Sequence, residues 1–193
     1  MKIFPLLIML FLCGHLHAQT PDLNINDFNS LDIESSYILA DKYINSKGVD
    51  MDLPKAYQLL NFAAQHNHPK AQFDLGKMYE YWYMWHPDDN KNLSNLDKVI
   101  QLFKNWDSSW YMQKSFSLYL KSAINGYDEA ISEVGISYYQ GRGTEVNLEE
   151  AYYWFIQGAM LNEYRSLYYI KNMKKDLTTF QINKIKQRIK KRS

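Results

Sequence analysis

Cysteine and long apolar runs are both nearly absent from this 193-residue sequence. The single cysteine, Cys13, excludes an intramolecular disulfide, so the fold must be stabilised by its hydrophobic core. The apolar run from Phe4 to Leu12 is far shorter than the ~20 residues that a helix needs to cross a bilayer. The sequence therefore predicts neither a disulfide-stabilised fold nor a membrane-spanning helix.

The first eighteen residues have the order of features found in a secretory signal peptide. Lys2 supplies a positive start, the run from Phe4 to Leu12 an apolar segment, and Ala18 a small residue at the cut. A buried N-terminal helix is the alternative interpretation, and a lipid anchor on Cys13 is disfavoured because bulky residues precede it. We therefore expect residues 1–18 to be removed and the chain to be exported to the periplasm.

An excess of charge of one sign is also lacking. Without Lys2 the chain has 21 basic and 21 acidic residues, which argues against a nucleic-acid partner. The charge is nevertheless uneven, because the last ten residues contain six basic side chains and no acidic one. Two interpretations stay open for this basic tip: a solvated helix end, or a contact with anionic lipid or an acidic partner.

Motifs of catalysis and cofactor binding are missing as well. The sequence has no G-x-S-x-G elbow, no P-loop, no H-E-x-x-H and no cysteine after Cys13 to act as a nucleophile. His86-Pro87-Asp88-Asp89 is the segment that looks most like a set of metal ligands, but polar loop residues explain it more simply. We therefore expect no cofactor, no metal and no enzymatic activity, with a hydrolase as the remaining alternative.

What the sequence does contain is an internal repeat. Leu39 to Tyr43 aligns with Leu75 to Tyr79 at a shift of 36 residues, and with Val134 to Tyr138 at a shift of 95. Two later segments, Lys55 to Leu59 and Glu150 to Trp154, align independently at the same shift of 95. Registers that agree with one another predict a protein built from stacked repeats.

Each repeat has the pattern of two helices joined by a turn. In the first helix, apolar or small residues recur at helical spacing, as at Ala71 and Tyr79. Glycines mark the turn, Gly48 in the first repeat and Gly141 and Gly143 in the third, because a tight turn between helices commonly needs positive φ.

Capping residues open the second helices and the last helix. Asp52 precedes a proline in the first turn, and Asn147 is followed by Glu150 three residues later, as in a capping box. Thr178 or Thr179 is expected to cap the last helix. The apolar side of this helix is expected to consist of Phe180, Ile182, Ile185 and Ile189.

These residues resemble the Sel1-like repeats, relatives of the tetratricopeptide repeats. Their pattern is roughly A-x-x-x-L-G-x-x-Y, then a G-x-G-V turn, then a K-A-x-x-W-Y-x-x-A-A helix. The third repeat matches through Gly135, Tyr138, Gly141, Gly143, Ala151, Trp154 and Ala159. The resemblance implies an all-α fold, a right-handed α-solenoid of helix-turn-helix repeats, with a concave surface that binds other proteins. It also implies a bacterial protein of a kind that is often exported.

The repeat registers divide the chain after the signal peptide into five parts. They are an N-terminal segment (19–34), a first repeat (35–70), a second repeat (71–129), a third repeat (130–165), and a degenerate half-repeat with a basic capping helix (166–193). The second repeat has a 23-residue insertion between Tyr79 and Lys114 that replaces the glycine turn and includes a further helix expected from Asn95 to Trp106.

The insertion is rich in aromatic residues, and insertions in repeat proteins often form part of the binding face. Packing of the extra helix onto the solenoid explains these rings equally well. The side chains expected to contact a partner are Tyr37, Asp41, Phe73, Lys77, Ser132 and Ile136 on the first helices, and Tyr81, Trp82, Tyr83, Trp85 and Trp110 in or beside the insertion.

The function that these features favour is that of a periplasmic scaffold or adaptor that binds another protein. An immunity protein that neutralises a secreted antibacterial toxin, for example a type VI phospholipase effector, is the sharper alternative. The expected partner is accordingly an envelope protein or a secreted effector.

Overall fold

The computed structural model describes residues 32–84 and 108–191. The signal peptide, most of the N-terminal segment and the helix expected from Asn95 to Trp106 lie outside these residues, as do Trp85 and the segment from His86 to Asp89. No helix in the two described ranges is long and apolar enough to cross a membrane.

Eight α-helices, and no β-strand, make up the described residues. They are α1 (Ile33–Asn45), α2 (Leu53–Gln65), α3 (Pro69–Met84), α4 (Ser108–Ile124), α5 (Asp128–Gln140), α6 (Leu148–Met160), α7 (Tyr164–Met173) and α8 (Thr179–Lys190). The predicted all-α class is confirmed.

The helices form consecutive pairs, α1 with α2, α3 with α4 and α5 with α6, and each second helix also packs against the first helix of the next pair. The half-repeat supplies one more first helix, α7, which packs on α6. The final helix, α8, also packs on α6. This order of contacts, each pair touching its neighbours along the chain, is that of an α-solenoid.

The helix starts follow the capping residues in the sequence. Asp52 accepts a hydrogen bond from the amide of Lys55, and Asn147 accepts one from the amide of Glu150. At the last helix, Thr178 is the cap, and its reciprocal bonds with Gln181 complete a capping box. Each cap satisfies an amide that has no partner within the helix.

Two helical glycines explain how closely the paired helices approach. A Cβ at Gly135 would lie 2.6 Å from the ring of Phe155, and one at Gly76 would lie 2.9 Å from the ring of Tyr119. Phe155 and Tyr119 occupy the same position in their second helices, and each ring packs against a glycine. The packing of these two aromatic rings therefore depends on glycine, which has no side chain, at positions 76 and 135.

The last helix covers the core only in part. Ile185 and Ile189 are buried in a cluster with Met173 and Leu177, whereas Phe180 is exposed, contrary to the expected apolar side of α8. Phe180 belongs to the first turn of the helix, ahead of the buried isoleucines.

Part of the basic tip is paired within the chain. Arg188 forms an ion pair with Glu150 and lies 4.0 Å from the ring centre of Tyr153, and Lys184 lies 3.8 Å from Glu149. The carboxylate and the ring are both on α6. The basic side chains of α8 therefore help to hold this helix against the solenoid.

Candidate protein-binding surface

We call the side of the first helices that contacts the next repeat, together with the side chains at its edges, the first-helix face. At its N-terminal end, the ring of Tyr37 stacks on the ring of His68 at 4.6 Å. The Tyr37 hydroxyl donates a hydrogen bond of 3.0 Å to Asp74 on α3. These contacts join the first repeat to the second through both an aromatic stack and a polar contact.

His68 connects α1 and α3 at this joint. Its Nδ1 accepts the amide N–H of Ala71, which caps the start of α3, and its Nε2 lies 3.0 Å from Glu34 on α1. The sequence shows no acidic residue beside His68, because Glu34 is 34 positions away. The histidine is therefore a structural link between the two repeats.

The joint between the second and third repeats has a similar ring contact, made by different residues. The ring of Phe73 lies 5.0 Å from the ring of Tyr127, which precedes α5 as His68 precedes α3. The ammonium group of Lys77 lies 4.8 Å from the ring centre of Phe73 and 3.3 Å from Asp74. Lys77, Asp74 and Phe73 thus lie together on α3, and the ring of Tyr127 packs on them from the other side of the joint through Phe73.

An ion network extends the face toward the C-terminal end. Arg142, in the turn after α5, forms ion pairs with Glu80 of α3 and with Glu133 of α5, the second at 3.1 Å. Glu133 also accepts a bond of 2.7 Å from Arg165 of α7. Glu80 accepts a further bond of 2.7 Å from the hydroxyl of Tyr119. We call Glu80, Glu133, Arg142 and Arg165 the ion network.

The two carboxylates and Arg142 are mostly withdrawn from water, with side-chain exposures of 15–26%. Charges at such depth are costly unless they are paired, and here each has two charged or hydroxyl partners. Burial, followed by the nearby Glu80, raises the pKa of Tyr119. Tyr119 is therefore neutral at physiological pH, and its hydroxyl donates a hydrogen bond to the Glu80 carboxylate.

Tyr81 lies beside this network at the end of α3. Its side chain is 39% exposed, and burial of the remainder, together with Glu80 and Glu133, raises the pKa of its hydroxyl. A partly exposed tyrosine next to ordered charges offers a partner both an apolar ring and a hydrogen-bond donor.

Trp110 sits on the core side of the same region. Its ring lies 5.6 Å from the Tyr79 ring at 82°, an edge-to-face contact, and packs against a buried cluster that includes Tyr43 and Leu75. The ammonium group of Lys114 lies 5.3 Å from the ring centre of Trp110. Trp110 thus has a half-buried ring that anchors the start of α4.

The residues expected to contact a partner differ in burial. Asp41, Lys77 and Trp110 are half-buried and Tyr81 is exposed, whereas the side chains of Trp82, Tyr83 and Trp85 lie outside the described residues. The buried members of the set are Tyr37, Phe73, Ser132 and Ile136. These four side chains fill the joints between repeats and leave little surface to a partner.

The ion network was not anticipated from the sequence. Arg142 and Glu80 are 62 positions apart, and nothing in the local pattern of either marks the pair. The insertion in the second repeat also hides the register that relates α3 to the turn after α5. Only the folded chain brings the two together.

A metal-binding cluster is not formed by the described residues: nowhere in 32–84 or 108–191 do three His, Cys, Asp or Glu side chains come close enough to hold an ion. The segment from His86 to Asp89, where a metal was considered, lies outside these ranges.

Comparison with known families agrees with this architecture. A family model described as Sel1 repeat matches residues 33–68, 69–83 and 128–163, which contain α1 and α2, most of α3, and α5 and α6. The chain contains Sel1 repeats. Proteins of this family are generally non-catalytic scaffolds that bind other proteins.

A solved structure of a Sel1 repeat protein has a similar fold. A Sel1 repeat protein from Oxalobacter formigenes superposes with a TM-score of 0.55 at 22% identity, over 76% of this chain and 93% of that one. A protective antigen of uropathogenic Escherichia coli, described as displaying an SLR fold, aligns over 83% of this chain and 53% of that one, with 15% identity and a TM-score of 0.26. No curated protein matches the chain in sequence.

Proposed function

We propose that this Sel1 repeat protein is an exported scaffold that binds another protein in the periplasm, and that the partner contacts the first-helix face around Tyr81. The observation that carries the proposal is the exposed ring of Tyr81 beside the half-buried ion network. Tyrosine is among the residues most enriched at the energetic centres of protein interfaces.

The surroundings of Tyr81 suit recognition because they are already ordered. Arg142 is fixed by carboxylates from two helices, and Arg165 joins from a third. Side chains that are held before binding lose little conformational entropy when a partner arrives. Both signs of charge occur in the network, so it favours a partner with a mixed polar rim over a strongly charged one.

The partner can be identified by affinity capture. A tagged form of the whole coding sequence is produced in the native host, and proteins retained with it after gentle crosslinking are identified by mass spectrometry. Recovery of one envelope protein or one secreted effector supports the proposal. Capture of no protein above background, in repeated experiments under crosslinking, contradicts it.

The binding surface is tested with Tyr81→Ala once the partner is known. An interface centre contributes about 2 kcal/mol, so we expect the dissociation constant to rise by roughly thirtyfold. Phe180→Ala is the matched control, because Phe180 is also an exposed aromatic ring but lies on α8. Equal affinities for wild type, Tyr81→Ala and Phe180→Ala would place the binding surface elsewhere.

Export is tested by fractionation and by determining the N-terminal residue of the purified protein. We expect it in the periplasmic fraction with Gln19 as its first residue, because Ala18 offers the cleavage position. Protein found in the cytosol with Met1 or Lys2 at its start would contradict this part of the proposal and leave protein binding to be judged separately.

An immunity protein is the narrower candidate, and one feature favours it. The aromatic insertion is confined to the second repeat, whose spacing to the third repeat is 59 residues instead of 36. A single irregular element suits recognition of one particular partner. The test is co-production with the product of a neighbouring effector gene directed to the periplasm: survival that requires this protein supports immunity, and equal killing with or without it contradicts immunity.

A further inference from the structure

One contact recurs along the solenoid and identifies a surface at its C-terminal end. Tyr37 and Phe73 occupy the same position in successive first helices, which we call the stacking position. Each packs on the residue just before the next first helix, Tyr37 on His68 at 4.6 Å and Phe73 on Tyr127 at 5.0 Å. The repeat register places Ser132 and Tyr168 at the stacking position of α5 and α7.

The last stacking position lacks the cover that the others have. Tyr37, Phe73 and Ser132 are 9%, 8% and 1% exposed, because the next repeat lies over them. Tyr168 is 57% exposed. The difference follows from the position of α7, after which no further helix pair stacks among the described residues.

Neighbouring positions on α7 behave in the same way. Leu167 is exposed, although its equivalents in the three preceding first helices, among them Ser36 and Gln72, are buried. Tyr164, one turn earlier, is 79% exposed. We call Tyr164, Leu167 and Tyr168 the α7 stripe. It is the surface that a following repeat would bury.

The capping helix does not cover this stripe. Its buried residues, Ile185 and Ile189, belong to the cluster around α6, and its ion pairs also reach α6 through Glu149 and Glu150. The side of the solenoid formed by second helices is thus capped, while the side formed by first helices stays open.

The opposite end of the solenoid presents a surface that matches the stripe. Ile38 on α1 occupies the position of Asp74, which receives the Tyr37 hydroxyl at the first joint, and Ile38 is 47% exposed. Ile33 on the same helix is exposed as well. An aliphatic residue there suits contact with another apolar surface better than with water.

Charge at the two ends is complementary. Residues 164–191 contain nine basic residues and one acidic residue, whereas residues 32–52 contain five acidic and two basic residues. The opposite net charges of the two ends attract the C-terminal end of one molecule to the N-terminal end of another. Two identical ends carry the same net charge and repel each other.

We propose that copies of this protein associate head to tail, with the α7 stripe of one copy packed on α1 of the next. The contact continues the stacking of repeats across two molecules: Tyr168 takes the position of Tyr37, and its ring meets Ile38 where the Tyr37 hydroxyl meets Asp74. An arrangement of this kind is heterologous, so it forms open chains that lengthen with concentration. The proposal stands independently of the binding partner near Tyr81.

The test uses sedimentation of the purified protein over a range of concentrations. We expect the average mass to rise with concentration beyond that of a dimer and to fall with added salt, since salt screens the attraction between the ends. A mass that remains that of the monomer up to about 1 mM, the weak limit of specific association, overturns the proposal.

Three substitutions locate the contact. Leu167→Glu alters the α7 stripe and Ile38→Glu alters the α1 surface, and each places a carboxylate in an apolar contact. We expect each to weaken association by about tenfold or more. Phe180→Glu is the control: it places a carboxylate at an exposed apolar side chain on α8, away from both surfaces, and should leave association unchanged.

A mixture of the two defective variants distinguishes head-to-tail from symmetric association. Leu167→Glu keeps an intact α1 and Ile38→Glu keeps an intact α7 stripe, so the mixture forms a one-to-one dimer and nothing larger. If two α7 stripes met each other instead, Ile38→Glu would dimerise alone and the mixture would contain no mixed dimer. That result, or normal association of Leu167→Glu, overturns the proposal.

Discussion

The turns of the first and third repeats have the same backbone and different surroundings. In both, the residue after the first helix has positive φ, Ser46 at 52° and Gly141 at 72°. In both, the next amide donates to a carbonyl of that helix, Lys47 at 3.0 Å and Arg142 at 2.9 Å. The hydrogen bonds within the chain segment are therefore sufficient to define this turn.

What lies beside the two turns differs at each matching position. Nothing lies within 4 Å of a Cβ placed on Gly48, whereas a Cβ on Gly143 would lie 1.9 Å from the carbonyl oxygen of Met112. The Lys47 side chain is 61% exposed and that of Arg142 is 26% exposed. The conformation of the first turn depends only on its own backbone, whereas the third turn also contacts α3 and α4.

The largest expected effect comes from Gly143→Ala. The new Cβ meets main chain, which cannot rotate away, and positive φ adds strain, so we expect the free energy of unfolding to fall by about 3 kcal/mol or more. Gly48→Ala shares the positive φ without the contact and should cost about 1 kcal/mol. Urea unfolding followed by circular dichroism measures both. Similar losses for the two variants would show that backbone strain alone governs both turns.

The second comparison replaces the matching basic residues. Arg142→Ala leaves Glu80 and Glu133 half-buried without their shared partner, so we expect a loss of about 2 kcal/mol, less than for a fully buried pair. Lys47→Ala removes an exposed pair with Asp41 and should cost less than about 0.5 kcal/mol. Thermal and urea unfolding give the two values. An Arg142→Ala loss no larger than that of Lys47→Ala would contradict the network's role in joining repeats.

A third comparison concerns the helices that the turns connect. Gly135 and Phe155 correspond to Ala40 and Leu60 in the first repeat. Gly135→Ala puts a methyl 2.6 Å from the Phe155 ring, which itself stacks on Tyr169 at 4.6 Å, so the ring has little freedom to move. We expect a loss of about 1–2 kcal/mol, after an offset from the better helix propensity of alanine.

The control for this pair is the double variant with Phe155→Leu. It recreates the alanine and leucine of the first repeat, so the cost of Gly135→Ala should shrink when Phe155 is already leucine. A double-mutant cycle measured by urea unfolding gives the coupling. Purely additive losses would mean that the ring over Gly135 is not the cause.

Much of this fold follows from the sequence because the decisive signals are local. Gly48, Gly141 and Gly143 were predicted to need positive φ, and all three have it. The cap at Thr178 and the all-α class are likewise confirmed. Caps and turns depend on residues within a few positions of each other, so a single sequence reveals them.

The binding surface follows less well because it depends on contacts between distant residues. Helical phase places Ser132 and Ile136 on the first helix of the third repeat, but it does not say whether packing against other helices buries them, as it does. The joining of Glu80 to Arg142 likewise depends on how α3 sits beside the turn after α5. Burial and charge pairing between repeats become visible only when the helices are stacked.

The last comparison of the two turns is the only one in which a substitution is expected to stabilise the protein. Ser46 adopts the left-handed conformation that its counterpart Gly141 adopts without a Cβ, so Ser46→Gly should raise the free energy of unfolding by about 0.5–1 kcal/mol. The reverse change, Gly141→Ser, should cost somewhat more than this gain, because a Cβ there would lie 3.0 Å from Val146. Thermal unfolding of the two variants tests the pair. If Ser46→Gly destabilises the protein, the serine side chain contributes more to the first turn than its strained backbone costs, and the two turns are less alike than their backbones indicate.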